Sequence, residues 1–92
     1  MIYNKLTIEV KMRIKLFHEL IRIKDGENKL LQGVMIFDNV GYITFSSNKI
    51  PYYLFKLTFR IIEQYFEIEH IINYTEENQL HIDFYGIIKK EV

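Results

Sequence analysis

Residues 28–39 read Asn28-Lys29-Leu30-Leu31-Gln32-Gly33-Val34-Met35-Ile36-Phe37-Asp38-Asn39, and how they fold decides the arrangement of everything around them. The apolar run and its flanks suggest a short helix over residues 28–38. Asp25-Gly26-Glu27-Asn28 breaks the chain ahead of it and supplies a cap. Asn39 follows as a left-handed exit, a role in which asparagine ranks second to glycine. Two residues sit badly in such a helix. Gly33 would cost roughly 0.5–1 kcal/mol relative to alanine. Asp38 would face the negative pole of the helix dipole, an unfavourable contribution of about 0.3–1 kcal/mol.

Upstream, Leu6-Thr7-Ile8-Glu9-Val10-Lys11-Met12-Arg13-Ile14-Lys15-Leu16 alternates apolar and polar, the period of a strand. The same region places Leu6, Val10, Ile14, Phe17 and Ile21 at helical spacing, but on period alone a strand over 6–16 leads. Downstream, Gly41-Tyr42-Ile43-Thr44-Phe45-Ser46 reads as a strand with Ile43 and Phe45 on one face and Tyr42, Thr44 and Ser46 on the other. Ser47-Asn48 can cap the next helix, with Pro51 in its first turn. The run Tyr52 to Phe66 is the clearest helix. Leu54, Leu57, Ile61 and Tyr65 form one stripe and Phe55, Phe59, Ile62 and Phe66 another, a face wide enough to need burial on two sides. Glu67 to Tyr74 and Gln79 to Tyr85 read as strands joined through Thr75-Glu76-Glu77-Asn78 into a hairpin. In the second strand Leu80, Ile82 and Phe84 face in, and His81, Asp83 and Tyr85 face out. The order predicts an α+β domain with helices packed on one face of a small antiparallel sheet.

At 92 residues the chain is a single domain, 1–92, and 49% apolar content suffices for a core. One proline and four glycines argue against disorder. Without cysteine there are no disulfides or thiolate metal sites, which fits a reducing, cytoplasmic setting. No apolar run has the length of a signal peptide core or a membrane span, so no membrane partner is expected. Net charge is zero but unevenly spread. Residues 1–24 carry six bases against two acids, a net +4, and residues 25–92 six bases against ten acids, a net −4. A basic end attracts phosphate or is simply a solvated face, and charge favours the second. His18, His70 and His81 are scattered, with no metal-ligand spacing among them. There is no P-loop, glycine-rich phosphate fingerprint or nucleophile–base pair, and no cofactor or metal is expected.

The nine residues Leu31 to Asn39 resemble the motif that names the LAGLIDADG family: leucine, glycine and the second aspartate match at Leu31, Gly33 and Asp38, with Val34 and Met35 as apolar substitutes. Thr7-Ile8-Glu9-Val10-Lys11 is similar to the Ser-x-Glu-Val-Lys opening of the LAGLIDADG-like amino-terminal domain of bacterial WhiA-type transcriptional regulators. Phe45-Ser46-Ser47-Asn48, Leu54-Phe55-Lys56-Leu57 and Tyr65-Phe66-Glu67-Ile68-Glu69 are similar to the strand–helix–strand passage that follows in that domain.

The resemblance implies a LAGLIDADG homing-endonuclease-like half-module, the first half of a two-repeat module, without a helix-turn-helix. It implies a helix over residues 6–16, against the period. It also implies that the 28–38 helix packs against a companion repeat or a second copy through Leu30, Leu31, Gly33, Val34 and Phe37. Asp38 would occupy the place of the family's metal-binding acid as a vestige. The implied function is that of a non-catalytic domain in a DNA-binding regulator of sporulation or cell division, active in repeat packing and in supporting DNA contact. Lys11, Arg13, Lys15, Tyr42, Thr44, Ser46 and His81 would meet DNA, weakly, because phosphate contacts dominate affinity and this sheet is poor in cations. One alternative is an active homing-endonuclease half with Asp38 as a metal ligand, although one acid cannot hold the metals of phosphodiester cleavage. Another is an unrelated small α+β interaction domain. Between Asp38 and Phe45 only one short strand fits where the family has a hairpin, which predicts a sheet short of part of its DNA-facing surface.

Overall fold

At Asp38 and Asn39 the backbone turns left-handed, with φ of 52° and 67°. Two successive positive φ values define the tight turn whose twist matches that of a β-hairpin, and aspartate and asparagine are the non-glycine residues that enter this region most readily. The computed structural model describes residues 2–46 and 52–89, with side chains from Thr7 onward except that of Asp25. In chain order its elements are α1 (Ile2–Leu20), β1 (Lys24–Asp25), β2 (Asn28–Lys29), β3 (Leu31–Phe37), β4 (Val40–Phe45), α2 (Tyr52–Glu63), β5 (Phe66–Glu76) and β6 (Gln79–Ile88). The cap expected from Ser47 and Asn48, and Pro51, lie outside the described residues.

The expected helix over residues 28–38 is therefore corrected: these residues form β2 and β3. β3 pairs antiparallel with β4, from Leu31 opposite Phe45 to Phe37 opposite Val40. Val34, Ile36 and Phe37 on β3 and Val40, Tyr42, Ile43 and Phe45 on β4 are β-branched or aromatic, shapes that suit a pleated surface. Gly33 costs little in this setting, just after a register shift between Leu31 and Gly33. Asp38 meets no helix dipole, because it is the first residue of a turn. Between Asp38 and Phe45 the chain forms the single strand β4, as expected, and the stretch taken for a helix is the first strand of its hairpin.

Residues 6–16 are helical, within α1, so the strand suggested by their period is corrected as well. The buried stripe of α1 is Glu9, Met12, Leu16 and Leu20, continued by Ile23. Ile8, Val10, Ile14 and Phe17 lie on exposed flanks, and these flanking apolar residues create the apparent alternation. In α2 the buried stripe is Leu54, Thr58 and Ile62, whereas Leu57 is exposed. Of the two expected stripes, Leu54, Ile62 and Phe66 are buried and Phe55, Phe59, Ile61 and Tyr65 half-buried. The helix expected to reach Phe66 is corrected to end at Glu63, with Phe66 opening β5.

The sheet runs β3-β4-β6-β5, antiparallel throughout. A second two-residue turn, Glu77-Asn78 at φ 52° and 64°, closes the β5–β6 hairpin. Its strands are longer than the sequence reading, reaching Glu76 and Ile88. Both helices cover one face. Leu16, Leu20, Leu54 and Ile62 pack there on Ile43, Phe45, Leu80, Ile82 and Phe84, all 2% exposed or less. Phe66 meets Phe84 edge to face, with ring centroids 5.0 Å apart. Gly41 is required by this packing, since a Cβ there would stand 2.1 Å from the Phe84 ring. Among the described residues no helix is long and apolar enough to cross a membrane.

Candidate functional site

The other face of the sheet is open. Registered rows of side chains cross it, Phe37–Val40–Tyr85–His70 and Met35–Tyr42–Asp83–Ile72, with Gly33, Thr44, His81 and Tyr74 in the next. Met35, Phe37, Tyr42, Ile72, Tyr74 and Tyr85 are all exposed. A large exposed apolar patch on a small domain marks a contact surface.

A polar cluster sits within this surface. The Tyr74 hydroxyl donates to Asp83 Oδ2 at 3.0 Å, and its ring stacks on His81 with centroids 5.0 Å apart. The bond to Asp83, then burial and neighbouring negative charge, raise the Tyr74 phenol above its ordinary value. Thr44 Oγ1 lies 3.4 Å from His81 Nδ1. A hydroxyl beside an imidazole resembles part of a nucleophile–base pair, but the contact is long. Asp83, the carboxylate that could orient the base, bonds to Tyr74. The cluster fixes these side chains on the open face. Among the described residues no group of three or more His, Asp or Glu is placed to hold a metal.

The charge of the sheet is one-sided. β3, β4, β5 and β6 contain Glu67, Glu69, Glu76 and Asp83 and not a single lysine or arginine. Of the basic residues of the first segment, Lys5, Lys11, Arg13 and Lys15 lie on α1, in the layer behind the sheet, and Arg22 and Lys24 follow it. Lys11 and Arg13 are exposed there, and Lys15 Nζ lies 5.9 Å over the Tyr65 ring. Ser46, at the end of β4, donates its hydroxyl to the Leu30 carbonyl. The residues expected to meet DNA are thus divided: Tyr42, Thr44 and His81 share the open face, whereas Lys11, Arg13 and Lys15 belong to the helical layer. Asp38 is exposed at a hairpin turn. Of the residues expected at an interface, Leu31 is buried, Leu30, Gly33 and Val34 are half-buried, and Phe37 is exposed. They line an edge strand rather than a helix crossing.

Sequence reasoning missed Glu9. It is 4% exposed, and its Oε2 accepts from the Asn39 backbone N–H at 3.1 Å, so α1 holds the β3–β4 turn. The Asn39 carbonyl in turn accepts from Gly86 N–H at 3.0 Å. The available signal was the place of Glu9 on the stripe Met12–Leu16–Leu20. No protein-family model matches the chain, and neither any curated protein nor any solved structure matches it.

Proposed function

We propose that this chain is a non-catalytic interaction domain of the kind found at the amino terminus of WhiA-type DNA-binding regulators, and that its own surfaces engage protein rather than nucleic acid. The observation that carries the reading is the open sheet face, aromatic and aliphatic, on strands with four carboxylates and no lysine or arginine. Such a face repels phosphate and favours contact with protein side chains. The helix over residues 6–16, which the resemblance implies against the period, supports the regulator setting.

A second reading, an unrelated small α+β interaction domain, is favoured by one observation. The residues that match the LAGLIDADG motif form a strand and a turn, not a helix. Both readings make the sheet a protein-contact surface. The coding sequence downstream of Val92 separates them: a second repeat and a helix-turn-helix supports the regulator, and their absence from the gene favours the second reading.

Nuclear magnetic resonance titration with duplex DNA tests what the readings share. Binding should be non-specific, with Kd of roughly 10⁻⁴–10⁻⁶ M, and have a shallow salt slope, since few cations take part. Shifts should appear at Lys11 and Arg13 and not at Tyr42, Thr44 or His81. Sequence-selective binding through the open face would overturn the proposal. So would magnesium-dependent cleavage that Asp38→Asn abolishes.

A further inference from the structure

The two edges of the sheet are built differently. β5 carries Glu67, Glu69 and Glu76 and a register shift between Ile68 and His70, devices that blunt an edge against pairing. β3 is seven residues long and carries no charge and no proline. Its irregularity is confined to the start, between Leu31 and Gly33, which leaves Gly33 to Phe37 regular.

The turn fixes which backbone groups are free. Phe37 and Val40 flank a two-residue turn, so they exchange hydrogen bonds. By alternation Met35 also points its N–H and C=O at β4, and those of Val34 and Ile36 point away from the sheet. On the helical side of this edge lies the exposed flank of α1, with Val10 47%, Ile14 48% and Phe17 38% exposed. Ile14 and Phe17 border a shallow groove with Val34 and Gly33. On the open side Met35 is 60% and Phe37 66% exposed, and a Cβ added to Gly33 would meet nothing within 4 Å.

We propose that β3 pairs antiparallel with β3 of a second copy of this chain, about a two-fold axis at Met35. In that register Val34 opposes Ile36 of the second copy, so the outward N–H and C=O groups of both strands bond reciprocally. Met35 meets Met35, and Phe37 covers the bare backbone of Gly33, which accounts for two exposed apolar side chains and a glycine together. The α1 flanks bearing Val10, Ile14 and Phe17 meet across the axis on the helical side. The β3 edge itself carries no charged residue and is compatible with itself, whereas two β5 edges would bring carboxylates together. Arg13 and His18 border the groove on the helical side. The contact is isologous and closes at two copies. It rests on the edge geometry and stands independently of the regulator reading.

Sedimentation velocity on the full chain over a concentration series provides the test. The wild type should dimerise. Met35→Lys places a charge at the axis, and Val34→Pro removes an outward N–H while sparing the ladder to β4. Each should weaken association by about tenfold or more. Circular dichroism should show folded monomers, and Met35→Lys, at an exposed position, carries the test if the proline variant does not fold. Ile72→Lys, on the open face away from β3, should leave association unchanged. The amides of Val34 and Ile36 should exchange more slowly as concentration rises. A wild type that stays monomeric at millimolar concentration would overturn the proposal. So would a dimer that Ile72→Lys dissolves and Met35→Lys does not, since that pattern belongs to stacked sheet faces.

Discussion

Glu9 is an acid in the most basic segment of the chain, and it is buried because the Asn39 N–H requires an acceptor there. Removing the carboxylate leaves that donor short of a partner and opens space under the turn. Glu9→Ala should therefore lower stability by about 1.5–3 kcal/mol, the range for hydrogen bonds to charged groups, in urea unfolding. Glu9→Gln, which keeps an acceptor, should cost less. Tyr65 tells a similar story at the other side of α1. Its phenol is pushed up to about 12 by a hydrogen bond to Glu19, then by burial and by the charge of Glu19. A raised value in the folded state means that this group's contribution is complete below the ordinary phenol range near pH 10.0 and disappears as pH climbs to about 12. Stability measured against pH should fall across that window, and Tyr65→Phe should remove this part of the slope. Neither pairing was legible in the sequence. Glu9 and Glu19 read as neutralising charges among lysines, because their partners are 30 or more positions away.

At the scale of elements, the β5–β6 hairpin was legible and the β3–β4 hairpin was not. In β6 the alternation of Leu80, Ile82 and Phe84 with His81, Asp83 and Tyr85 has one face in the core, so the strand period shows. In β3 the apolar residues occupy both faces, with Ile36 buried and Met35 and Phe37 exposed, so no period survives and the run imitates a helix. α1 misleads in the opposite direction: a buried stripe and apolar flanks together mimic alternation. The Asp38-Asn39 and Glu77-Asn78 turns were the better guides, since each pairs an acid with asparagine where positive φ is needed twice. A β-branched residue pays heavily for that conformation. Asn78→Val should destabilise the chain by about 1–2 kcal/mol in thermal unfolding, and Asn78→Gly should be neutral or slightly stabilising.

Across the whole molecule, the charge asymmetry visible in the sequence becomes a polarity of layers, with a basic α1 behind an acidic sheet. The α+β class followed from the order of elements, and the outward placement of His81, Asp83 and Tyr85 followed from their period. Strand order did not, because nothing local in the sequence states that β4 and β6 are neighbours.

That adjacency has a kinetic consequence. Each hairpin closes over two residues, an event on the scale of roughly 1–10 μs. The β4–β6 seam joins Val40–Phe45 to Leu80–Tyr85 across all of α2 and β5, and it is the pairing with the largest loop to close. Refolding should therefore be limited by the meeting of two preformed hairpins. Ile43 and Ile82 face each other on that seam and are fully buried, so Ile43→Val and Ile82→Val should mainly slow refolding in stopped-flow chevrons. Thr75→Ala, opposite Leu80 within a hairpin already formed before that step, should likewise slow refolding and leave the unfolding rate nearly unchanged.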